Sequence, residues 1–501
     1  MAQSMAPPAA AARGMAADDV WAQLRTRVEQ RLRQFEQSPP TPAAAYTLEK
    51  ELQAAFDEAG RALLVETFNR REPAAKDQAA PRVRYHKQTY RINKRTPAEV
   101  ATSFGPIRLW SWLYLCTEDG EPGLHPLHVS LGIGAGATTP LLAERVARLA
   151  VDHTQAEVRA GLRREQGLSW SNDRLRAALR DFRQALVRFV PAVQQERLVH
   201  WLQQAEGSRG RHRPVLAAGR DGIMLPMRSG GYEEGSTATV SVYDRRRRRL
   251  GTIYLGQMPE TKQTTLSQTL TDLLRGVLRA YPGPLPRLAY VTDKGSAPEE
   301  YYRRVLKKMK HPRDGKPLVW EWVLDFYHVC GYIGKMAEAL FGAETPAGAQ
   351  WFAKMRRWLR ERRQGAAQVA RSATQLLDRR KMTKAQRAAF WKAYRYLRRH
   401  RRWMDYEGYR RRGLPLGSGV TEAACKTVFT QRFKRSGMRW GQESGQVIVD
   451  LRVLSLSNLW EEAFVHDLAA RVLPEPSGAP AGARQRGSHQ ASRKATPGLA
   501  A

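Results

Sequence analysis

The feature that most constrains the fold lies between residues 212 and 340, where strand-like and helix-like patterns alternate. Three strand-like segments come first, "RPVLAAGRDGIMLPMR", "TATVSVYDR" and "RLGTIYLGQ", and the last two flank an arginine-rich turn. An amphipathic helix, a short buried strand, a helix, another strand and a further helix follow. The order β-β-β-α-β-α-β-α predicts an α/β domain built on a mixed five-stranded sheet.

Helical patterns flank this core, and a short β-rich stretch precedes it. The boundaries that we predict are 1–17 (disordered tail), 18–80 (N-terminal helical region), 81–137 (small β-rich module), 138–210 (helical region), 211–344 (α/β core, first part), 345–412 (basic helical insertion), 413–473 (α/β core, last part) and 474–501 (disordered basic tail). Within 138–210, the turn "EQGLSWSND" suits a helix-turn-helix, although helical bundles show the same pattern.

The charge of the chain points to a polyanionic partner. Lys and Arg total 83 against 48 acidic residues, which gives a net charge of +35. Such an excess favours binding to nucleic acid through phosphate contacts and counterion release. Ribosome-associated and histone-like proteins share this bias, so the charge alone does not select a function.

The cysteines and the hydropathy pattern indicate where such a chain would reside. Cys116, Cys330 and Cys425 are far apart and form no CxxC pair, which argues against a disulfide framework and fits a reducing cytoplasm. The sequence contains no apolar run long enough to span a bilayer. We therefore expect a soluble, cytoplasmic protein with no membrane partner.

Three acidic residues are candidates for a shared metal site. Asp221 lies in the first strand of the core, Asp293 directly follows the fourth, and Glu422 begins a late helix. The first and fourth strands of this order are central neighbours, so their acids can meet, and carboxylates are the ligands that two Mg²⁺ ions need for phosphodiester chemistry. The alternatives are a turn residue at Asp221, a loop cap at Asp293 and a helix-dipole acid at Glu422.

A further acid follows the fifth strand. Asp325 and His328 form a D-x-x-H unit in "LDFYH". The pair either lies near the metal ions and DNA or anchors the start of the following helix. Asp325 is therefore an alternative to Asp293 as the second metal ligand.

Four motifs together resemble a known family. They are "RDG", "VTDKG", "LDFYH" and "GSGVTEAACKTVFTQRFKRSGMRW". The combination resembles bacterial insertion-sequence transposases of the DDE type, in particular the mutator-related group with a C/D-x-x-H motif. The resemblance covers about residues 90–460. It implies an RNase H-like fold with a helical insertion, preceded by helical and small β-rich N-terminal DNA-binding modules.

The resemblance also implies roles for individual residues. Asp221, Asp293 and Glu422 would be the three catalytic acids and would hold two Mg²⁺ or Mn²⁺ ions. Asp325 and His328 match the C/D-x-x-H pair. The implied reaction cuts DNA at an element end, and the freed 3′-hydroxyl then attacks target DNA.

The implied partners are double-stranded DNA, as element ends and target, and further copies of the chain, because two ends must be held together. We expect a homodimer or higher oligomer in the bacterial cytoplasm, associated with the nucleoid. The residues predicted to contact DNA are Arg245, Arg246 and Arg247 in the arginine-rich turn, and Arg432, Lys434, Arg435, Arg439 and Trp440 after the acidic helix. Trp440 either stacks on an unpaired base or packs in the core, and the arginine-rich turn is either a DNA-facing tip or a solvated loop.

Relatives often carry a cysteine-pair knuckle in the N-terminal module. In this chain only Cys116 is present there, with His125 and His128 nearby. These residues are either the remnant of a zinc site or ordinary polar loop residues.

Two rival functions fit the same sequence. An RNase H-like nuclease or resolvase would use the same metals without strand transfer. An inactive, domesticated DNA-binding protein would keep the charge and lose the chemistry.

Overall fold

The computed structural model describes residues 15–118, 120–134, 136–378 and 381–477. The described chain is mixed α/β and divides into two compact units. The first unit comprises the described parts of 1–145, 159–178 and 470–501, and the second comprises those of 146–158 and 179–469.

The helices and strands are numbered in chain order. The helices are α1 Ala17–Glu36, α2 Pro42–Arg70, α3 Pro126–Ser130, α4 Pro140–Asp152, α5 Gln155–Gln166, α6 Asn172–Val187, α7 Val190–Glu206, α8 Thr264–Ala280, α9 Ser296–Arg304, α10 Phe326–Phe341, α11 Pro346–Glu361, α12 Gly365–Leu377, α13 Lys384–His400, α14 Tyr406–Arg412, α15 Gly419–Ala424, α16 Gln431–Phe433, α17 Gln442–Leu456 and α18 Trp460–Ala470. The strands are β1 Arg82–Tyr85, β2 Gln88–Thr102, β3 Gly105–Cys116, β4 Val215–Pro226, β5 Tyr232–Tyr243, β6 Arg249–Gln257, β7 Arg287–Thr292, β8 Trp320–Leu324 and β9 Glu475–Ser477.

The first unit contains an antiparallel four-stranded sheet in the order β3-β2-β1-β9. Its long β2–β3 hairpin turns at Gly105, where φ is +114°. That conformation favours glycine because it has no Cβ. Pro97 lies inside β2, opposite Trp110.

The last strand of this sheet corrects one predicted boundary. Residues 474–501 were expected to form a disordered tail, but Glu475–Ser477 is a strand that pairs with Arg82–Arg84. Such a short segment carries little strand signal of its own, so its pairing with a distant strand is what fixes it. The rest of that predicted tail, and residues 1–14 of the N-terminal one, lie outside the described residues.

The turn in the predicted helix-turn-helix region is present between α5 and α6. Gly167 has a left-handed φ of +67° just after α5, as a helix C-terminus commonly requires. The Ser171 hydroxyl accepts a hydrogen bond from the Arg174 amide at 3.1 Å and caps α6.

The second unit is built on the five-stranded sheet that the sequence predicts. The order is β6-β5-β4-β7-β8, antiparallel from β6 to β4 and parallel from β4 to β8. The predicted adjacency of the first and fourth core strands is therefore confirmed as β4 beside β7. β7 is buried along almost its whole length, as a central strand of a parallel segment must be.

Helices α11 to α14 occupy the predicted insertion and share a core with α10. Ile333 and Met336 of α10 belong to one buried cluster with Met355 of α11, Val369 of α12 and Phe390 of α13. The insertion is thus packed onto the helix that follows β8. Among the described residues, we find no helix with both the length and the apolar character that a membrane span requires.

Candidate active site

The register of the parallel strands brings the first two predicted acids to one level of the sheet. Ala218 of β4 is paired with Tyr290 of β7. Three residues further along both strands stand Asp221 and Asp293. Because adjacent strands lie about 4.8 Å apart, the two carboxylates project from neighbouring backbone positions.

The third strand of this row carries the alternative acid. Thr292 of β7 is paired with Leu324 of β8, so the next residues are Asp293 and Asp325. The Asp325 amide donates to the Thr292 carbonyl at 2.8 Å and extends the ladder by one residue. Asp293 therefore stands next to Asp221 on the adjacent strand, whereas Asp325 is two strands away.

The Asp221 carboxylate carries the electrostatic signature of a crowded acidic site. Burial raises its pKa, and the negative charges of Asp293 and Glu422 raise it further. Hydrogen bonds from the Cys425 thiol and from the Gly222 amide, the latter at 2.8 Å, oppose this shift without cancelling it. Asp293 and Glu422 are thus each close enough to Asp221 to disfavour its charged form.

Asp293 is held by its backbone and by the insertion. Its carboxylate accepts a hydrogen bond from the Gly295 amide at 3.1 Å, and its carbonyl accepts one from the Tyr396 hydroxyl at 3.4 Å. The next residue, Lys294, has a left-handed φ of +73°, a strained conformation for a residue with a Cβ. This strain is located beside a predicted functional residue, where such outliers concentrate.

Lys294 is fixed by an ion pair and by aromatic rings. Its side chain is 6% exposed and its ammonium pairs with Glu299. The ammonium also lies 5.3 Å from the ring centre of Trp403 and 5.8 Å from that of Trp322. These contacts give the strained turn after Asp293 a single conformation.

Glu422 reaches the site on a helix with an irregular middle. Its helix begins as α15, continues as a π-helical turn at Cys425–Thr430 and ends as α16. The π-turn inserts an extra residue, a feature that is frequent at functional sites. Glu422 itself is exposed, and its carboxylate accepts a hydrogen bond from the Ser418 hydroxyl at 3.0 Å.

Close contacts fix this helix against β4 and β5. The hydroxyls of Thr421 and Thr239 are 2.7 Å apart, and the Cys425 sulfur is 3.2 Å from the Thr237 hydroxyl. A Cβ on Gly219 would lie 2.1 Å from the Thr421 hydroxyl, so only glycine permits this approach. Sequence reasoning missed these residues; the small residues of "LAAGRDG" were the available signal.

Asp325 is buried and engaged by donors from two helix starts. It is 1% exposed and caps α10 by accepting the His328 amide at 2.5 Å. Its second oxygen accepts from the Ser418 amide and lies 2.9 Å from the Ser418 hydroxyl oxygen. The His328 ring packs beside Tyr332, with ring centres 5.4 Å apart. These contacts support the predicted alternative in which the D-x-x-H pair anchors the start of a helix.

The residues predicted to contact DNA after the acidic helix separate into two groups. Lys434 and Arg439 are exposed, and so is Arg435, which ion-pairs with Glu157 at 3.3 Å. Arg432 is only 2% exposed, and its guanidinium donates to the Ala150 carbonyl at 3.3 Å. Burial lowers the pKa of Arg432 to about 10, and a guanidinium engaged inside the protein argues against the phosphate contact predicted there.

Trp440 is engaged within the protein. Its indole N–H donates to the Phe433 carbonyl at 3.0 Å, and its ring centre lies 4.2 Å from that of Phe433. The guanidinium of Arg432 covers the ring at 5.0 Å. These contacts favour the core-packing alternative over stacking on a base.

The arginine-rich turn lies at the other end of the sheet. Asp221 is paired with Thr237, whereas the turn follows Tyr243, which pairs with Val215. Six residues at about 3.3 Å each separate these levels by roughly 20 Å. The turn therefore lies well away from the acidic residues.

The arginines of this turn differ in their availability. Arg245 pairs with Glu206, while Arg246 and Arg247 are exposed. Asp244 accepts the amides of Arg246 and Arg248 at 2.9 and 2.8 Å and fixes the turn. Arg248 and Arg249 are exposed as well, so the outer arginines of the turn are the ones able to reach a polyanion.

The first unit places both predicted histidines against one serine. Ser111 Oγ lies 2.8 Å from His125 Nδ1 and 3.2 Å from His128 Nε2. Burial lowers the pKa of both rings, that of His128 to about 4 with a further contribution from His125. Cys116 instead packs with the cluster around Tyr90.

The acidic site offers donors of the kind that Mg²⁺ or Mn²⁺ prefers. Its three side chains present carboxylate oxygens, and in the described ranges none of Asp221, Asp293 and Glu422 forms an ion pair with a Lys, Arg or His. The same ranges contain no group of three His, Cys, Asp or Glu gathered closely enough to hold a metal ion. The donor chemistry of the three acids thus fits a hard cation.

Comparison of the chain with models of known protein families and with curated proteins finds no match. Its function must therefore be inferred from its own residues and their geometry.

Proposed function

We propose that this chain is a DNA transposase of the DDE type, which binds the ends of an insertion sequence and catalyses metal-dependent cleavage and strand transfer. The observation that carries the proposal is that Asp221 and Asp293 each stand three residues beyond the paired Ala218 and Tyr290 of adjacent strands, where the charge of Asp293 acts on Asp221. Glu422 completes the set, since its charge adds to that of Asp293 in raising the pKa of Asp221.

The sheet supports an RNase H-like core as part of this proposal. Three antiparallel strands followed by two parallel ones, with acids at the level of β4 and β7, match what the resemblance implies. The acidic helix α15 follows an insertion of four helices, again in the implied order.

The chemistry follows from the kind of residues present. Two Mg²⁺ or Mn²⁺ ions held by Asp221, Asp293 and Glu422 would activate the attacking oxygen and stabilise the leaving one. The chain itself places the acids: Asp221 and Asp293 lie three residues beyond the paired Ala218 and Tyr290, and the Glu422 carboxylate accepts a hydrogen bond from Ser418.

Phosphate binding falls to exposed cations near the acidic helix. Lys434 and Arg439 follow Glu422 along the chain and are exposed. A formal charge of +35 gives the long-range attraction that brings a duplex to such a surface. The partners under this proposal are double-stranded DNA and a second copy of the chain, in a bacterial cytoplasm.

A strand-transfer assay tests the proposal. Purified full-length protein is incubated with Mg²⁺, a supercoiled target plasmid and a pre-cut duplex bearing the inverted repeat that flanks its gene. We expect joined products that disappear in Asp221→Asn, Asp293→Asn and Glu422→Gln, whereas Glu443→Gln retains them. Cleavage of uncut ends without joining would instead identify a nuclease, and binding without either reaction would identify an inactive DNA-binding protein.

A further inference from the structure

A single hydroxyl connects two of the acids discussed above. Ser418 Oγ lies 2.9 Å from Asp325 Oδ2 and 3.0 Å from Glu422 Oε1. A serine hydroxyl has one proton, so it donates to one of these oxygens at a time. The geometry therefore raises the question of which carboxylate takes the proton.

The Asp325 carboxylate is already well supplied with donors. One oxygen accepts the His328 amide at 2.5 Å, and the other accepts the Ser418 amide. With two backbone N–H groups fixed on it, this buried carboxylate stays in place without the hydroxyl. The Ser418 proton is thus available to Glu422.

Glu422 has the opposite environment. It is exposed on the first turn of α15, and among the described residues the Ser418 hydroxyl is the one side-chain donor on its carboxylate. A glutamate has three rotatable bonds, so an exposed one samples many rotamers unless a neighbour selects one. Ser418, which is 4% exposed, is rigid enough to make that selection.

We propose that Ser418 is the positioning residue of Glu422 and that Asp325 acts through it. Asp325 fixes the Ser418 backbone at the start of α15, and the Ser418 hydroxyl then orients the Glu422 carboxylate toward the acidic site. Asp325 is on this view a support for the third acid and not an alternative to Asp293. The inference rests on the proposed function in taking Glu422 as a working acid.

Its test uses variants that separate the hydroxyl from the backbone. Ser418→Ala removes the hydroxyl and keeps the amide on Asp325, whereas Ser418→Thr keeps both. Ser444→Ala is the matched control, because that hydroxyl bonds only its own helix start, at the Gly441 carbonyl. Glu422→Gln gives the signal expected when the third acid is lost.

Two readouts are compared on the full-length protein. The first is Mn²⁺ binding without DNA, followed by the electron paramagnetic resonance of free Mn²⁺. The second is kcat and KM for cleavage of a DNA end. We expect Ser418→Ala to weaken Mn²⁺ binding and to lower kcat, each about tenfold, with KM for DNA unchanged. In Ser418→Thr and Ser444→Ala, Mn²⁺ affinity and kcat should stay within about twofold of the parent. This change is smaller than the loss expected when a hydrogen bond to a charged group is removed.

Asp325→Asn then tests whether Asp325 acts on Glu422 through Ser418. We expect it to weaken Mn²⁺ binding in the same direction, and the double variant with Ser418→Ala to be no worse than Asp325→Asn alone. Full Mn²⁺ affinity and turnover in Ser418→Ala would overturn the inference, as would a parent protein whose Mn²⁺ binding is insensitive to Glu422→Gln. If the parent binds Mn²⁺ through Glu422 and Ser418 but neither cuts nor joins DNA, the proposed function is refuted and the inference on Ser418 is retained.

Discussion

The Cys425 thiol donates a hydrogen bond to the Asp221 carboxylate across the interface between the acidic helix and the central strand. The bond lowers the pKa of Asp221 against the effect of burial. Burial in turn raises the pKa of the thiol, which therefore remains protonated and able to donate. The contact joins the first acid to the helix that carries the third.

Removing this donor is expected to shift the pH dependence of activity. In Cys425→Ala the pKa of Asp221 rises further, so cleavage declines at a higher pH on the acidic side than in the parent. Cys425→Ser retains an O–H donor and is expected to keep the parent profile. A pH–rate profile of DNA-end cleavage measures both, and identical acidic limbs in the parent and Cys425→Ala would refute the role of the thiol.

The buried Asp221 carboxylate is expected to lower the stability of the folded protein at neutral pH. Because the folded-state pKa is raised above its ordinary value of 3.8, folding favours the protonated form, and stability is lost as pH rises through the folded-state pKa. Asp221→Asn should therefore raise the melting temperature at pH 7 while abolishing cleavage. The gain should vanish below about pH 4, where the parent is protonated as well. Calorimetry at both pH values checks this, and a lower melting temperature at pH 7 would contradict it.

The two partners of the buried ion pair beside Asp293, Lys294 and Glu299, are expected to differ in how much stability is lost when each is replaced. Glu299→Gln leaves the Lys294 ammonium, 6% exposed, without its counterion, which we expect to cost about 3 kcal/mol of unfolding free energy. Lys294→Met keeps the packing against the tryptophans, and Glu299 retains its pair with Arg303 at 2.5 Å, so the loss should be smaller. Denaturant unfolding ranks the two variants, and a larger loss in Lys294→Met would reverse our assignment.

The paired histidines predict acid sensitivity in the first unit. Their folded-state pKa values are lowered, that of His128 to about 4, so the unfolded chain binds protons first. Stability should therefore fall as pH drops from about 6.5 towards 4. His128→Gln should flatten that slope, as measured by melting temperature against pH. An unchanged slope would show that other groups cause the acid sensitivity.

Substitutions in the two basic surfaces, one after the acidic helix and one at the arginine-rich turn, are expected to affect DNA binding differently. If DNA lies over the acidic site, Lys434→Ala with Arg439→Ala should reduce the slope of log affinity against log salt by about 2. Arg246→Ala with Arg247→Ala, roughly 20 Å away along the sheet, should change the slope less for a short duplex and equally for a long one. Titrations with 15- and 40-base-pair duplexes distinguish the surfaces, and an effect of the turn on the short duplex would place the DNA elsewhere.

The sequence predicts the elements of the core better than the contacts between them. Strand-like segments that alternate with helix-like ones identify β4 to β8. In this order the first and fourth strands are neighbours, which places Asp221 near Asp293. The strands follow from local periodicity, and their adjacency follows from a topological rule. Both kinds of information are present in the order of residues along the chain.

The supporting contacts depend instead on residues far apart in the chain. Ser418, Cys425 and Thr239 are ordinary small residues until the acidic helix packs on β4 and β5. Arg432 looked like its exposed neighbours, and only helix packing shows that it is buried. A one-dimensional pattern carries no information on which cation of a basic run turns inward.

The pairing of β9 with β1 has a consequence for synthesis on the ribosome. Tyr85 ends β1, and Glu475 begins β9, so about 390 residues must be made between them. At roughly 5–20 residues per second this takes about 20–80 s, during which β1 presents an uncovered edge to other nascent chains. Protection of that edge by chaperones, or fast translation of the end of the message, would then decide how much of the newly made protein escapes aggregation.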